Sequence, residues 1–427
     1  MTDNSATEAS FARIDKVTRE QILIFAVGML VVVVDGFDAL MMGYLAPAIG
    51  ESWHLQKGAL APVFAAGLAG LTIGALIFGP IAAWFGVKRI IVASLCGFGI
   101  VTLASLFATG VSSLSLIRFI NGLVLGGVLP NTLTLVSNSM PIRYRTALVT
   151  LLSTSFSIGS VLAGFLTATL VSEHGWKSLF WIGGISPLII APMALLCFPG
   201  EAKSGDREVD AQVAPVGTTG RSPLELFGGN LLPITLLLWV MLFFHTGTLF
   251  FITNWLPTLM HDSGITLADS ALVTTMFHVG GFGGAIILGI LAGRFGGGIL
   301  VISSLASAGL IATIGLGHSL AAIYVLSLCA GAAVIGTLHV TYGFAASSIY
   351  GPEIKAIGMG WAIGSSRLGA VVAGSLAAGW LVHLSLPDAT TFAAGAIQDL
   401  IAAGAIAILL LVLRQRQRAH QICRNRM

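Results

Sequence analysis

Charge is what this chain most lacks. Only 9% of its 427 residues are Asp, Glu, Lys or Arg, and 56% are hydrophobic, whereas soluble domains carry about 25% charged residues. The core of a soluble domain needs far less apolar surface than this. The composition therefore excludes a soluble domain and predicts a polytopic membrane protein.

Cysteine is scarce as well, and the common enzyme motifs are missing. The four cysteines are Cys96, Cys197, Cys329 and Cys423. Their spacing indicates neither a disulfide framework nor a zinc site. The absence of a G-x-x-x-x-G-K phosphate loop and of H-E-x-x-H argues against an ATP-driven pump or a metalloenzyme. His383 and Asp388 have the H-x-x-x-x-D spacing of some acyltransferases, but no companion motif accompanies them. We expect no enzyme activity, cofactor or metal.

Long apolar runs, in contrast, recur throughout the chain, and each can cross a bilayer as a helix. We predict twelve spans, over residues 22 to 46, 59 to 83, 90 to 109, 114 to 138, 146 to 171, 178 to 198, 231 to 256, 267 to 291, 298 to 316, 320 to 346, 356 to 384 and 392 to 413. The 53 glycines suit close helix packing in lipid, where small residues let backbones approach.

One long polar insert divides these spans into two sets of six. We predict a cytoplasmic N-terminal tail (1 to 20), a six-helix half (21 to 199), a cytoplasmic linker (200 to 229), a second six-helix half (230 to 413) and a basic cytoplasmic tail (414 to 427). A repeat supports this division, because Gly79 to Gly86 and Gly289 to Gly296 share the pattern G-x-[IL]-A-x-x-F-G. The predicted fold is all-α and integral to the membrane, with two pseudo-symmetric halves around a central cavity.

Basic residues set the expected orientation. Seventeen of the 21 lysines and arginines lie in the tails, the linker and the loops on one side, whereas Lys57 and Lys177 lie on the other. By the positive-inside rule both termini are cytoplasmic, and we expect a location in the inner (plasma) membrane. The arginines after residue 413 contact anionic lipid or fix the topology more often than they bind nucleic acid, so no nucleic-acid partner is expected.

Two carboxylates in the first span are the most informative residues. Asp35 and Asp38 lie in the middle of an apolar run, where each aspartate costs roughly 2.5 to 3.5 kcal/mol on insertion scales. Their i, i+3 spacing places them on one helix face, so the pair can hold a single proton, as a proton-coupled carrier requires. Gly36 between them lets a neighbouring helix approach. Alternatively, both pair with a buried arginine and never titrate.

Only two cations lie within spans. Arg367 is about midway along the eleventh span and needs an anionic partner, since it cannot reach water there. Its guanidinium can bind a substrate carboxylate bidentately, or it can pair permanently with Asp35 or Asp38. Arg118 lies nearer the end of the fourth span, with Asn121 three residues on. It serves either in proton coupling or helix locking, or in direct contact with the substrate.

Other polar and aromatic residues within the spans are candidates for contacts with a substrate. They are Tyr44, His245, Asn254, Trp255, His278, His339 and Tyr342. A histidine can titrate near neutral pH or bind a ring hydroxyl, and an aromatic side chain can stack on a ring. Histidines buried for packing, and aromatic residues in the core or facing lipid, are the ordinary alternatives.

Several stretches together carry a resemblance. They are Asp35-Gly36-Phe37-Asp38, Arg118-Phe-Ile-Asn-Gly122-Leu-Val-Leu-Gly126-Gly127, Trp255-Leu256-Pro257-Thr258, Gly360-Trp361-Ala362 and Arg367-Leu368-Gly369. With them the chain resembles the major facilitator superfamily and, within it, the aromatic acid:proton symporter family. The resemblance implies import of benzoate-like or hydroxybenzoate-like anions with protons, and a requirement for Asp35, Asp38, Arg118 and Arg367. We expect a monomer whose partners are such anions, protons and membrane lipids.

Four residues depart from that resemblance, and one of them is Asn138, near the end of the fourth span, where the family often has a glutamate. In the superfamily the loop after the second helix usually reads G-x-x-x-D-R-x-G-R, but here Ala83 and Trp84 stand at the charged positions, and Gly293 replaces the acid in the second half. A charge latch between conformations is thereby removed, which affects gating more than fold. A proton-coupled efflux antiporter, or an importer of another organic anion, is the alternative on the same fold.

A mechanism follows from the charges as a hypothesis. A proton neutralises an aspartate while the substrate carboxylate binds an arginine, and the neutralised centre then turns toward the cytoplasm. One proton with one monoanion moves no net charge, whereas a second proton adds about 2.3 kcal/mol per 100 mV of membrane potential. The sequence leaves both stoichiometries open.

Overall fold

The regular structure of this chain is entirely helical in the part described. The computed structural model describes residues 18 to 200, 223 to 228, 231 to 317, 319 to 350 and 354 to 425. Most of the predicted linker, and the predicted N-terminal tail up to residue 17, lie outside these residues. Eleven helical stretches within them are long and apolar enough to cross a membrane, and a further apolar helix has 17 residues.

Six of these helices precede the linker and form the first half. They are α1 (Arg19–Ser52), α2 (Ala61–Phe85), α3 (Val87–Ala104), α4 (Val111–Leu125 and Val128–Ser139), α5 (Ile142–Leu166, continued by a π-helical turn, Thr167–Val171, and by Ser172–His174) and α6 (Lys177–Cys197). The first of them starts at a capping box, in which the Thr18 hydroxyl accepts from the Gln21 amide and the Gln21 side chain accepts from the Thr18 amide.

The other six helices form the second half. They are α7 (Leu232–Asp262), α8 (Leu267–Phe295), α9 (Gly298–Ile314), α10 (Leu320–Ser348), α11 (Lys355–Val371, continued by a π-helical turn, Val372–Ala377, and by Ala378–His383) and α12 (Asp388–Asn425). Each predicted span coincides with one helix, so the predicted fold class is confirmed. The two copies of the repeated motif end α2 and α8, and their last residues, Gly86 and Gly296, both have positive φ.

The helices pair in the same order in both halves. In the first half α1 packs on α5, α2 on α4 and α3 on α6; in the second, α7 packs on α11, α8 on α10 and α9 on α12. Across the halves α1 contacts α7, α5 contacts α8 and α2 contacts α11. The pairing reproduces the internal symmetry that the repeated motif predicts, and it places α1 and α7 together at the centre.

Glycines let the backbones of α1 and α5 come into direct contact in the middle of α1, beside the two aspartates. A Cβ on Gly36 would strike the backbone carbonyl of Phe156, and one on Gly159 would strike that of Val33. Thus α1 and α5 touch backbone to backbone, as the position of Gly36 between the two aspartates predicts. The carboxylates on either side of Gly36 are held at a fixed depth between helices.

Polar contacts join the two halves at the face remote from the chain ends, where the loops after α1, α7 and α11 lie. Lys57 Nζ is 3.0 Å from Asp262 Oδ2, and His261 Nε2 is 2.8 Å from Glu51 Oε1. The ring Nδ1–H of His383 donates to the Lys57 carbonyl over 3.1 Å. These contacts, named here the remote latch, close that face of the molecule.

Candidate functional site

Asp38 lies at the centre of a buried polar cluster that joins α1, α3 and α4. Its carboxylate oxygens accept from Arg118 (3.1 Å to Nη2), from the Asn121 amide (2.5 Å) and from the Thr102 hydroxyl (2.8 Å). Arg118 Nη2 also donates to the Asp38 backbone carbonyl over 2.9 Å. All four side chains are buried. Both oxygens of Asp38 are therefore satisfied by donors that suit an ionised carboxylate.

Asp35, one turn earlier, has no such partners. Its side chain is equally buried, but within the described chain the carboxylate makes no hydrogen bond or ion pair, and Oδ1 is sealed from solvent. Its electrostatic surroundings are set by Asp38, which repels its negative form, and by Arg367, which attracts it. Two aspartates three residues apart thus have opposite environments.

Arg367 has an unpartnered atom as well. Its Nη1 is buried without an acceptor, and the guanidinium forms no ion pair with any described residue. It interacts through space with Asp35 and Tyr342. A buried guanidinium nitrogen without an acceptor can bind a carboxylate, which is the role that the sequence predicts for Arg367.

Hydroxyl groups line the surroundings of Arg367. The Tyr342 hydroxyl donates to Ser366 Oγ over 2.7 Å, and Ser366 Oγ lies 2.7 Å from Thr246 Oγ1. This chain of hydroxyls connects α10, α11 and α7. Tyr342, a predicted candidate for substrate contact, thus lies close to Arg367. No sequence pattern singles out Ser366 or Thr246, since hydroxyl residues are common in membrane helices.

A small cavity adjoins the Asp38 cluster. Asp38, Arg118 and Asn121 line it from the first half, and Phe250 and Asn254 line it from α7. The Asn254 amide also donates to Ser375 over 3.3 Å. The predicted residues of the first and second halves therefore meet at this cavity, with an aromatic ring and an amide facing the carboxylate cluster.

The remaining predicted residues are distributed around this centre. Tyr44 is buried, with its hydroxyl 3.2 Å from Ser160 Oγ, and joins α1 to α5. His278 is buried on α8 and its Nε2 has no partner. Trp255 is buried against Phe64, edge to face at 5.1 Å. These three side chains are part of the core between the helices.

Two of the predicted histidines lie apart from that core. His339 is exposed and donates from Nδ1 to the carbonyl one turn earlier, at Ile335. His245 is fully buried inside the second half, where Nδ1 lies 2.8 Å from Asp399 Oδ1. His245 has no surface through which to contact a substrate in this conformation. In the described residues, no group of three or more His, Cys, Asp or Glu side chains is arranged to hold a metal ion.

His383 and Asp388, the H-x-x-x-x-D pair, do not act together. His383 belongs to the remote latch, and Asp388 accepts from the Ser263 hydroxyl over 2.5 Å.

Comparison with known proteins gives a consistent result. The profile of the Major Facilitator Superfamily matches residues 28–372. The chain is 32% identical to the gallate transporter of Pseudomonas putida over 86% of each chain. It is also 32% identical to the 4-hydroxybenzoate transporter PcaK of Acinetobacter baylyi, over 92% of this chain and 91% of that protein. With the 3-(3-hydroxy-phenyl)propionate transporter of Escherichia coli it shares 32% identity over 91% of this chain and 94% of that protein.

Solved structures show the same fold at low sequence identity. The crystal structure of the nucleoside transporter NupG has a TM-score of 0.73 at 13% identity, covering 92% of this chain and 99% of that one. That of the D-xylose-proton symporter has a TM-score of 0.69 at 15% identity, covering 91% of this chain and 97% of that one.

Proposed function

The chain belongs to the Major Facilitator Superfamily, and from this premise we propose that it imports a small aromatic carboxylate together with protons by alternating access. It is a multi-pass membrane transporter, not an enzyme, and its relatives transport aromatic acids. The proposal places it as a monomer in the inner membrane with both termini in the cytoplasm, as the basic residues predict.

One observation carries the proposal, namely that Asp35 and Arg367 are opposite charges near each other without a direct contact. Arg367 Nη1 and Asp35 Oδ1 are both buried and both lack a partner. A substrate carboxylate can accept a hydrogen bond from Arg367 Nη1, and the Asp35 carboxylate can bind a proton. Burial makes both events favourable only together, because either alone leaves a net charge in a low-dielectric site.

This arrangement couples the two ligands. When Asp35 is ionised, it attracts Arg367 and competes with an incoming carboxylate; when Asp35 is protonated, the guanidinium is free to bind the substrate. A bound anion in turn stabilises the protonated state of the site, since linkage between two ligands is reciprocal. Proton binding on the acidic side therefore promotes substrate binding, and release of one promotes release of the other.

Asp38 and Arg118 have a different part in the proposal. Asp38 already has an arginine, an amide and a hydroxyl as donors, and its carboxylate repels the negative form of Asp35. It thereby favours proton uptake at Asp35 without losing its own partners. Of the predicted coupling residues, Asp35 is the proton carrier and the Asp38–Arg118 pair sets its environment.

Neighbouring groups account for recognition of the ring. Phe250 and Asn254 line the cavity, and Tyr342 and Ser366 are next to Arg367. An aromatic acid can stack on the phenyl ring, while its hydroxyls exchange hydrogen bonds with the amide and hydroxyl groups. His278, buried with an unpartnered Nε2, is a further donor or acceptor for a ring hydroxyl.

The proposal is tested in proteoliposomes with labelled 4-hydroxybenzoate, gallate and 3-(3-hydroxyphenyl)propionate under an inward proton gradient. We expect accumulation of at least one of them, abolished by an uncoupler. Asp35→Asn mimics the protonated carboxyl, so it should retain exchange of labelled for unlabelled substrate and accumulate less substrate than the parent for the same pH gradient. Arg367→Gln should lose both activities. Thr169→Val, exposed on α5, is the matched control and should transport as the parent does.

Other results would contradict the proposal. Gradient-driven accumulation by Asp35→Asn equal to that of the parent would remove Asp35 as a proton site. Transport of another solute, with no aromatic acid taken up, would leave the fold and remove the substrate class. Uptake of the acid into proton-loaded vesicles, in exchange for protons that leave, would favour the antiporter alternative.

A further inference from the structure

The second half contains a buried acid–base pair far from the Asp38 cluster in the sequence. His245 on α7 and Asp399 on α12 have no solvent-exposed surface, and Nδ1 of the imidazole lies 2.8 Å from Oδ1 of the carboxylate. The other ring nitrogen, Nε2, lies 2.8 Å from the carbonyl of Val334 on α10. The other carboxylate oxygen accepts from the Ser307 hydroxyl on α9. Four helices meet at this pair.

The contacts determine how many protons the pair holds. A peptide carbonyl can only accept, so Nε2 carries a hydrogen. Nδ1 and Oδ1 face each other at 2.8 Å, off the line of an ideal hydrogen bond, and neither atom has another partner. Without a proton between them, two lone pairs would repel inside the protein. The pair therefore holds one proton, either on His245 as imidazolium or on Asp399 as carboxylic acid, and is neutral overall.

That proton is held by the packing around it. If it left while the helices stayed in place, the ionised Asp399 would keep a single hydrogen bond, from Ser307, in a site with no solvent-exposed surface. A lone buried charge of this kind is strongly destabilising. If α7 moved away from α12, water would reach both groups and the proton could leave. Proton binding and the packing of α7 on α12 are thus linked.

No other ionisable side chain contacts the pair within the described chain. On the four helices that meet at the pair, α9 has no ionisable side chain. The others, up to residue 416, have His261 and Asp262 (α7), Tyr324, Cys329, His339 and Tyr342 (α10) and Asp388, Arg414 and Arg416 (α12). Among the described residues, the charge that acts on His245 is that of Asp399. The proton therefore depends on these two residues and on the helices that enclose them.

The pair is also linked through α7 to the residues beside Arg367 and to the interface between the two halves. His245 precedes Thr246, which contacts Ser366 beside Arg367. The same helix packs on α1 across the interface between the halves, where Gly43 lies against the backbone of Thr253. A change in α7 during alternating access reaches the substrate site and the His245–Asp399 pair through one rigid helix.

We propose that His245 and Asp399 form a second proton-binding site, filled in the conformation described here and emptied when α7 separates from α12 during transport. The inference rests on the proposed function for its consequence: with Asp35, the transporter then carries two protons with each monoanion. One positive charge enters per cycle, so the membrane potential drives uptake together with the pH gradient.

The first test measures the coupling of transport to membrane potential. At equal pH inside and outside, two protons per monoanion predict about tenfold accumulation for about 60 mV of inside-negative potential. His245→Gln, and the neutral double variant His245→Gln with Asp399→Asn, should lose this accumulation and still respond to a pH gradient. His174→Gln, an exposed histidine on α5, is the matched control. Electroneutral transport by the parent, or electrogenic transport by both variants, would overturn the proposal.

The second test does not depend on transport and so separates failure of this inference from failure of the proposed function. Nitrogen-15 NMR of histidine-labelled parent protein, with His245→Gln to assign the resonances, reports imidazolium nitrogens at residue 245. Infrared difference spectroscopy of Asp399→Asn against the parent reports a protonated carboxyl at residue 399. We expect one of the two signals. If the parent shows a neutral imidazole and an ionised Asp399, the proton is absent and the site does not exist.

Discussion

Each half of this transporter buries one carboxylate against a cation, and the two pairs differ in what the cation can do. In the first half Asp38 pairs with Arg118, and in the second Asp399 pairs with His245. Arginine stays charged under any physiological condition, whereas histidine can release its proton. The first pair is therefore a fixed part of the structure, and the second exists only with a bound proton.

The surroundings of the pairs agree with this difference. Asp38 has donors from an arginine, an amide and a hydroxyl, and its cluster borders the cavity. Asp399 has one hydroxyl besides the imidazole and is sealed between α7, α9, α10 and α12. A fully coordinated acid beside the cavity can act on Asp35 by its charge while its own hydrogen-bond partners stay in place. A sparsely coordinated acid inside a bundle depends on its proton to remain there.

The largest effect is expected when the fixed pair loses its cation. Arg118→Met leaves Asp38 buried with an amide and a hydroxyl, and breaking a buried pair in this way lowers the free energy of unfolding by about 3 to 5 kcal/mol. Denaturation in detergent micelles measures this. The neutral double variant Asp38→Asn with Arg118→Met should regain most of the lost stability. Equal stability of parent and single variant would mean that Arg118 is dispensable and that the pair is not a fixed element.

Removing the carboxylate from each pair should sharpen the contrast. In Asp38→Asn the guanidinium remains charged and unpaired, so a loss again near about 3 to 5 kcal/mol is expected. In Asp399→Asn the imidazole can become neutral, and only a charged hydrogen bond is lost, about 1.5 to 3 kcal/mol. The free energies of unfolding of the two variants, measured side by side in detergent micelles, test this difference. Equal losses would indicate that His245 cannot release its proton.

A smaller effect is expected from the packing that holds Asp35 and Asp38 in place. Gly36→Ala forces a Cβ against the Phe156 carbonyl, and overpacking of this kind costs about 1 to 3 kcal/mol. The matched control is Gly309→Ala on α9, where a Cβ meets nothing within 4 Å and helix propensity favours alanine by about 1 kcal/mol. Thermal unfolding should therefore move in opposite directions for the two variants. A stabilised Gly36→Ala would show that α1 and α5 are not in contact there.

Intramembrane charge is what made the fold and the first-half site predictable. Apolar runs of membrane length define the helices, and Asp35, Asp38, Arg118 and Arg367 are conspicuous because a charge in such a run needs a compensating reason. The spacing of the residues does not predict that Asp38 pairs with Arg118 while Asp35 has no partner. This difference between the two aspartates depends on the rotation of α1 relative to α4, which is set by the packing of the helices.

The second-half pair is only partly predictable from the sequence. His245 is a predicted candidate for substrate contact, whereas Asp399 carries no predicted role, although it is the only charged residue in the predicted span from 392 to 413. An isolated acid in a membrane helix predicts a buried partner. The identity of that partner could not follow from the sequence, since α7 and α12 are distant in the chain and Ser307 and Val334 contribute only through packing.

The smallest effect is expected at the remote latch, the only one of the compared ion pairs that reaches solvent. The side chains of Lys57 and Asp262 are 49% and 25% exposed, and exposed ion pairs contribute about 0 to 1 kcal/mol. Lys57→Gln should therefore shift the population of molecules closed at this face by at most about fivefold, toward opening, without measurable unfolding. Spin labels at Glu173 and Leu386, exposed on opposite halves, report the distance distribution in a cysteine-free background.

The control for this last prediction lies on the same face of the protein. Lys177 contacts the ring of Trp176 and has no described ion pair, so Lys177→Gln removes the same charge without touching the latch. If both substitutions shift the distance distribution equally, surface charge alone controls the closed state. If only Lys57→Gln does so, the latch holds the two halves together by its contact. The weak, exposed Lys57–Asp262 pair would then influence which conformation the transporter populates, whereas the buried pairs influence its stability and its binding of protons.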